Sequence, residues 1–195
     1  MIWKDIAEKL QNGEALYLLL VIESKGSSPG RHGFKMLVTA EGTPVGSIGG
    51  GLMELNLSNE AKALLQQKNL KAFAKRQTHR KDAPHSSGMI CSGEQTVAFI
   101  PLTPEKDLQL FEQISRACEE ERPWKIRITP KGPELLSQSG PRQLENYCYS
   151  ETDWQYEESL SAAREVYIVG AGHVGQATAR LFDFLQCRVH LLDNR

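Results

Sequence analysis

The order strand, glycine turn, helix, strand, acid over residues 166–195 constrains this chain more than anything before it. Val166-Tyr167-Ile168-Val169 is a short, β-rich apolar run of the kind required by a strand covered on both faces. Gly170-Ala171-Gly172-His173-Val174-Gly175 follows at once. The first glycine allows a tight turn, the second lets backbone approach a pyrophosphate, and the third lets a helix pack on the strand. Val174, Ala177, Leu181 and Leu185 then recur at helical spacing, and Arg188-Val189-His190-Leu191-Leu192 reads as a second strand. Asp193 closes the unit 18 residues past Gly175. That is near the roughly 20 residues expected for an acid that binds a ribose diol.

These residues specify the first βαβ unit of a Rossmann-like domain. A phosphate would rest on the free N–H groups at the helix N-terminus. Gly170, Gly172, His173, Gly175 and Asp193 are therefore candidate dinucleotide-binding residues, with NAD favoured by the acid and Arg195 tempering that preference. The alternative is that the glycines serve only the turn and the packing.

The chain has 195 residues, enough for one full domain and a part of another. Its 23 basic and 24 acidic side chains leave a net charge of −1, so no bulk field draws it to nucleic acid or an anionic membrane. The longest apolar run, Ala15 to Ile22, falls short of the roughly 20 residues a spanning helix needs, and no basic segment precedes it. A cytoplasmic protein is the expectation. Cys91, Cys118, Cys148 and Cys187 form no CxxC pair, which argues against structural zinc. Cys118, Cys148 and Cys187 read as packed thiols.

Before the βαβ unit the pattern is that of a mixed α/β domain. Trp3, Ile6, Ala7 and Leu10 predict a short helix ending at Gly13, and Ala15 to Ile22 a central strand. Strands are expected at 34–39, after Pro44, at 70–78, 96–102 and 124–129, and short ones around Leu135, Tyr147 and Trp154. Met53, Leu57, Ala61, Leu64 and Leu65 place an apolar stripe on one helix, and residues 105–120 form another. The acidic stretch 151–165 is the expected boundary. The domains are thus 1–160, mixed α/β, and 165–195, the partial Rossmann-like unit. A lone βαβ unit has uncovered apolar faces, so it should pack on the first domain or on a second copy of the chain.

Three loops of the first domain are richer in glycine than a plain scaffold needs: Ser27–Gly33, Gly49–Gly51 and Gly88–Gly93. Their N–H groups suit a phosphate or another anion, above all where a helix follows Gly51. Ser27, Ser28, Arg31 and Lys35 add hydroxyls and charge, and Glu54 lies in the helix after the triple glycine. Cys91 stands between Gly88 and Gly93, where a thiolate can be a soft metal ligand or a nucleophile. His79 and His85 are nearby, but neither is spaced to act as its base. Each loop taken singly is also explained as a tight connection.

Ser27-Ser28-Pro29-Gly30-Arg31 leading to Lys35, then Gly46-Ser47-Ile48-Gly49-Gly50-Gly51 with Glu54, then Gly88-Met89-Ile90-Cys91, and last the Gly170–Gly175 turn, together resemble the xanthine dehydrogenase accessory factor family (XdhC/CoxI). The resemblance implies a maturation factor for molybdenum hydroxylases that carries the molybdenum cofactor rather than a catalyst. It implies Cys91 as the pocket cysteine and metal ligand, Gly49, Gly50, Gly51 and Glu54 as the glycine turn and its acid, and Gly93 beside them. Leu52 and Ser92 stand where the family often has a cysteine and usually a glycine. The implied partners are a hydroxylase apo-subunit, a cysteine desulfurase and a second copy of the chain. Two other functions remain open from the residues: an NAD(P)-dependent oxidoreductase using Gly170–Asp193, and a scaffold that docks a hydroxylase without cofactor.

Overall fold

The computed structural model describes residues 2–78, 93–118, 124–137, 145–160, 165–184 and 187–194. Leu16-Tyr17-Leu18-Leu19-Leu20-Val21-Ile22 has no polar alternation, so both of its faces need cover. It forms most of β1 (Leu16–Lys25), flanked by β2 (Lys35–Thr39) and β5 (Glu94–Leu102), with β3 (Val45–Gly46) and β4 (Phe73–Thr78) at the edges. All four pairings of this five-stranded sheet are antiparallel.

The two faces of β1 enter two cores. Leu16, Leu18, Leu20 and Ile22 pack with Trp3, Ile6 and Leu10 of α1 (Ile2–Gln11) and with Phe111 and Ile114 of α3 (Pro104–Ala117). Tyr17, Leu19 and Val21 pack with Met53, Leu57, Ala61 and Leu65 of α2 (Gly51–Gln66). Each of these fully buried leucines contributes about 1.5–3 kcal/mol over an exposed one. Pro104 opens α3 at a position where its missing N–H costs nothing, and Asp107 accepts the Thr103 N–H at 2.8 Å.

A second antiparallel sheet, in the order β7-β6-β9-β8, closes the first core from outside. It comprises β6 (Trp124–Thr129), β7 (Gly132–Ser137), β8 (Tyr147–Ser150) and β9 (Asp153–Ser159). Here the structure corrects the expected boundary at 151–165. That acidic stretch contains β9, whose Trp154 and Tyr156 are buried and whose Glu157 is fully enclosed. Acidity did not mark a linker because Glu157 is ion-paired with Lys125 and Arg127 at 2.8 and 2.7 Å, and Glu158 with Lys35 at 2.5 Å.

The βαβ unit has the expected form: β10 (Glu165–Val169) and β11 (Arg188–Leu192) pair in parallel, joined by α4 (His173–Phe184). Of the two covers expected for it, the first domain does not supply one. No residue of α4 is buried, and Val169, Val174, Leu181 and Phe184 are 66–86% exposed, so the first domain does not enclose this unit.

Candidate functional site

Strand direction gathers the Ser27–Gly33 loop, the Gly49–Gly51 turn and Gly93, the described end of the third loop. β1 ends, and β2 and β5 begin, at the same end of the sheet, since Leu20 lies opposite Lys35 and Lys25 opposite Glu94. Met36 lies opposite Gly46, which delivers the turn after β3 to that end too. The loops then touch backbone to backbone. A Cβ on Gly30 would lie 2.2 Å from the Ile48 carbonyl oxygen, one on Gly49 2.6 Å from the Gly30 nitrogen, and one on Gly93 2.3 Å from the Ser28 nitrogen. Only glycine permits these approaches.

A side chain that sequence reasoning passed over joins them. Gln95 is 1% exposed. Its Oε1 accepts from the Ser28 hydroxyl at 2.7 Å and the Gly30 N–H at 3.0 Å, while its Nε2 donates to the Ile48 carbonyl at 3.0 Å. The available signal was a polar residue in register with Val97 and Phe99 on an otherwise apolar strand face.

The turn before α2 has Gly49, Gly50 and Gly51 at φ of 129°, 77° and 70°, which aims its N–H groups inward. The Gly50 N–H meets the chain's own Glu54, and the Gly49 N–H donates to the Ser47 hydroxyl at 3.2 Å. One Glu54 oxygen accepts from the Ser47 hydroxyl at 2.7 Å, the Ile48 N–H at 2.8 Å and the Gly50 N–H at 2.9 Å. Burial raises the Glu54 pKa, but these bonds outweigh it and hold the carboxyl below its ordinary range. Among the described residues, a Cβ on Gly50 would meet nothing within 4 Å.

The remaining predicted residues divide. Ser27 and Arg31 are exposed at the rim of the loops, and Ser28 is buried on Gln95. The Lys35 ammonium is already engaged by Glu158 and by the Gly33 carbonyl at 2.9 Å, and lies over the rings of Trp3 and Tyr156. Glu158 also accepts the Tyr156 hydroxyl. His32 lies tilted against Tyr156 with ring centroids 5.1 Å apart, its pKa lowered by burial and then by Lys35. Cys91, Ser92, His79, His85 and Arg195 lie outside the described residues. Among the described residues no three of His, Cys, Asp and Glu gather to hold a metal.

The second glycine turn is built on the same plan. Gly170 has φ 107°, and a Cβ on Gly175 would lie 1.9 Å from the Gly170 carbonyl oxygen, so the third glycine is what lets α4 start there. Asp193 accepts the Ala171 N–H at 2.6 Å, while Gly172 and His173 are exposed at the opening of α4. The strand, turn, helix and acid thus come together, though the acid is turned onto the loop.

Residues 9–73, which hold the Ser27–Gly33 loop, the Gly49–Gly51 turn and Glu54, match the XdhC and CoxI family. That match covers about a third of the chain. It is 35% identical over 77 residues to the uncharacterized protein YqeB of Escherichia coli (strain K12), a match covering 40% of this chain and 14% of that one. Its fold is similar to a chain in a crystal structure of a xanthine dehydrogenase from Bacillus halodurans, with a TM-score of 0.63 and 17% identity. That likeness covers 99% of this chain and 62% of the other, so this chain spans less than two thirds of the length of either protein.

Proposed function

We propose that this chain is a maturation factor for molybdenum hydroxylases of the xanthine dehydrogenase kind, binding the molybdenum cofactor at the converged glycine loops and passing it to an apo-subunit. The observation that carries the reading is that the family-matched segment contains two of the loops that meet at Gln95. The donor set suits the cofactor's parts. Ser27 and Arg31, exposed at the rim, suit its phosphate. Glu54, held ionised, suits the N–H groups of a pterin edge, and the space beside Gly50 admits a ring. Cys91, two positions before Gly93, is the soft partner for the metal–sulfur end in this reading. The cofactor supplies redox chemistry once delivered to the hydroxylase. This chain's residues bind and shield it, in the cytoplasm, with a cysteine desulfurase and a second copy of the chain as further partners.

The test is retention of released molybdenum cofactor by the purified protein on a size-selective filter. Wild type should retain it, and Cys91→Ala and Arg31→Ala should each retain several-fold less. Absence of retention by wild type sinks the carrier role, and unchanged retention by Cys91→Ala removes the thiol from it.

One observation favours a nicotinamide-dependent function: the Gly170–Gly175 turn has the close third-glycine approach of a dinucleotide site. In that case NAD should bind by calorimetry and support hydride transfer to a carbonyl substrate. A carrier turns nothing over.

A further inference from the structure

We propose that Gln95 is the positioning residue of the candidate site and makes its loops one coupled unit, so that a change at Ser28 is felt at the Ile48–Gly51 turn. This inference rests on the reading that these loops form the binding site. Gln95 occupies a position that Val97 and Phe99 fill with apolar side chains on the same strand face, and a buried amide there is unfavourable unless every polar atom is bonded.

Both of its polar atoms are bonded, and the partners sort by type. The Gly30 N–H can only donate, so it fixes Oε1; the Ile48 carbonyl can only accept, so it fixes Nε2. The same Nε2 lies 3.5 Å from the Met53 sulfur in α2. One planar group therefore sets the separation of two loops and a helix, with each bond holding the amide in the orientation the others need. The Ile48 residue whose carbonyl it takes also gives its N–H to Glu54, which extends the chain of contacts to the acid. Rigid glycine-to-glycine packing leaves no slack, because Gly49 and Gly30 already meet at the limit of contact.

Amide hydrogen exchange on the whole chain tests this without any ligand. Ser28→Ala should raise exchange at Ile48 and Gly50 about tenfold while leaving Ile126 in β6 unchanged. Gln95→Met, similar in shape but without hydrogen bonds, should raise it at least as much. Adding Ser28→Ala to Gln95→Met should produce no further rise at the turn. Effects of Ser28→Ala confined to residues 27–30, or rises that multiply independently in the double variant, overturn the proposal. If Gln95→Met does not fold, Ser28→Ala read at Ile48 and Gly50 against Ile126 still decides.

Cofactor retention supplies the separate readout. Retention by wild type with uncoupled exchange sinks the role of Gln95 and leaves the maturation reading standing. Coupled exchange with no retention does the reverse.

Discussion

Glu54 fills the amide nest that its own helix opens. A phosphate arriving at the Gly49–Gly51 turn would have to displace a carboxylate already holding three donors. Glu54→Ala should lower stability by about 1 kcal/mol at neutral pH, the scale of a lost helix cap, since the group is partly exposed. The sign with pH follows from its lowered pKa. The contribution is complete above the unfolded carboxyl value, roughly 4.3, and is lost as pH falls through the folded value. Urea midpoints of wild type and Glu54→Ala should therefore converge as pH falls below the unfolded carboxyl value; a constant gap contradicts the assignment. Gly30→Ala forces a Cβ onto the Ile48 carbonyl and should cost about 1–3 kcal/mol by the same measurement. At this scale the sequence was informative where a residue's conformation is special and poor where its partner is remote. The glycines announced themselves through spacing. Gln95 did not, because its partners lie 42 to 67 residues away, and the engagement of Lys35 by Glu158, 123 residues on, left no local trace.

Among the elements, β9 shows how composition misleads. Its run of acids resembles a solvated linker, yet Glu157 is enclosed between Lys125 and Arg127 and also accepts the Glu145 N–H. Burial raises its pKa, but those bonds prevail and keep it low. Glu157→Ala removes the carboxylate shared by two part-exposed cations and should lower stability by about 1–3 kcal/mol. Thermal unfolding followed by tryptophan fluorescence measures it, because Trp124 and Trp154 lie in the same sheet. An effect within a few tenths of a kcal/mol would show the pair to be idle. The first-domain helices were legible from their apolar period and β1 from its unbroken apolar run. The pairing order of the two antiparallel sheets was not, because register depends on contacts that no local window contains.

For the whole molecule, the asymmetry between its parts dominates. The first domain has two dense cores, whereas the βαβ unit exposes Val169, Val174, Leu181 and Phe184. Exposed apolar surface of this kind drives association. Val169→Thr with Phe184→Ser should shift sedimentation toward the monomer and reduce binding of an apolar dye, while leaving the first domain's unfolding midpoint unchanged. If neither sedimentation nor dye binding moves, the exposed stripe is not what associates.

The place of β1 between two cores has a consequence in time. Its longest pairing is with β5, and the contacts run from Leu16–Leu102 to Lys25–Glu94. During synthesis β1 therefore emerges about 80 residues before the end of the strand that completes it, a delay of roughly 4–16 s at ordinary elongation rates. Throughout that interval the apolar run from Leu16 to Ile22 lacks its β5 partner, so faster translation of the intervening segment shortens the time for which it is open to aggregation. A nascent chain arrested before Glu94 should remain protease-sensitive throughout β1, and one arrested well beyond Leu102 should protect it.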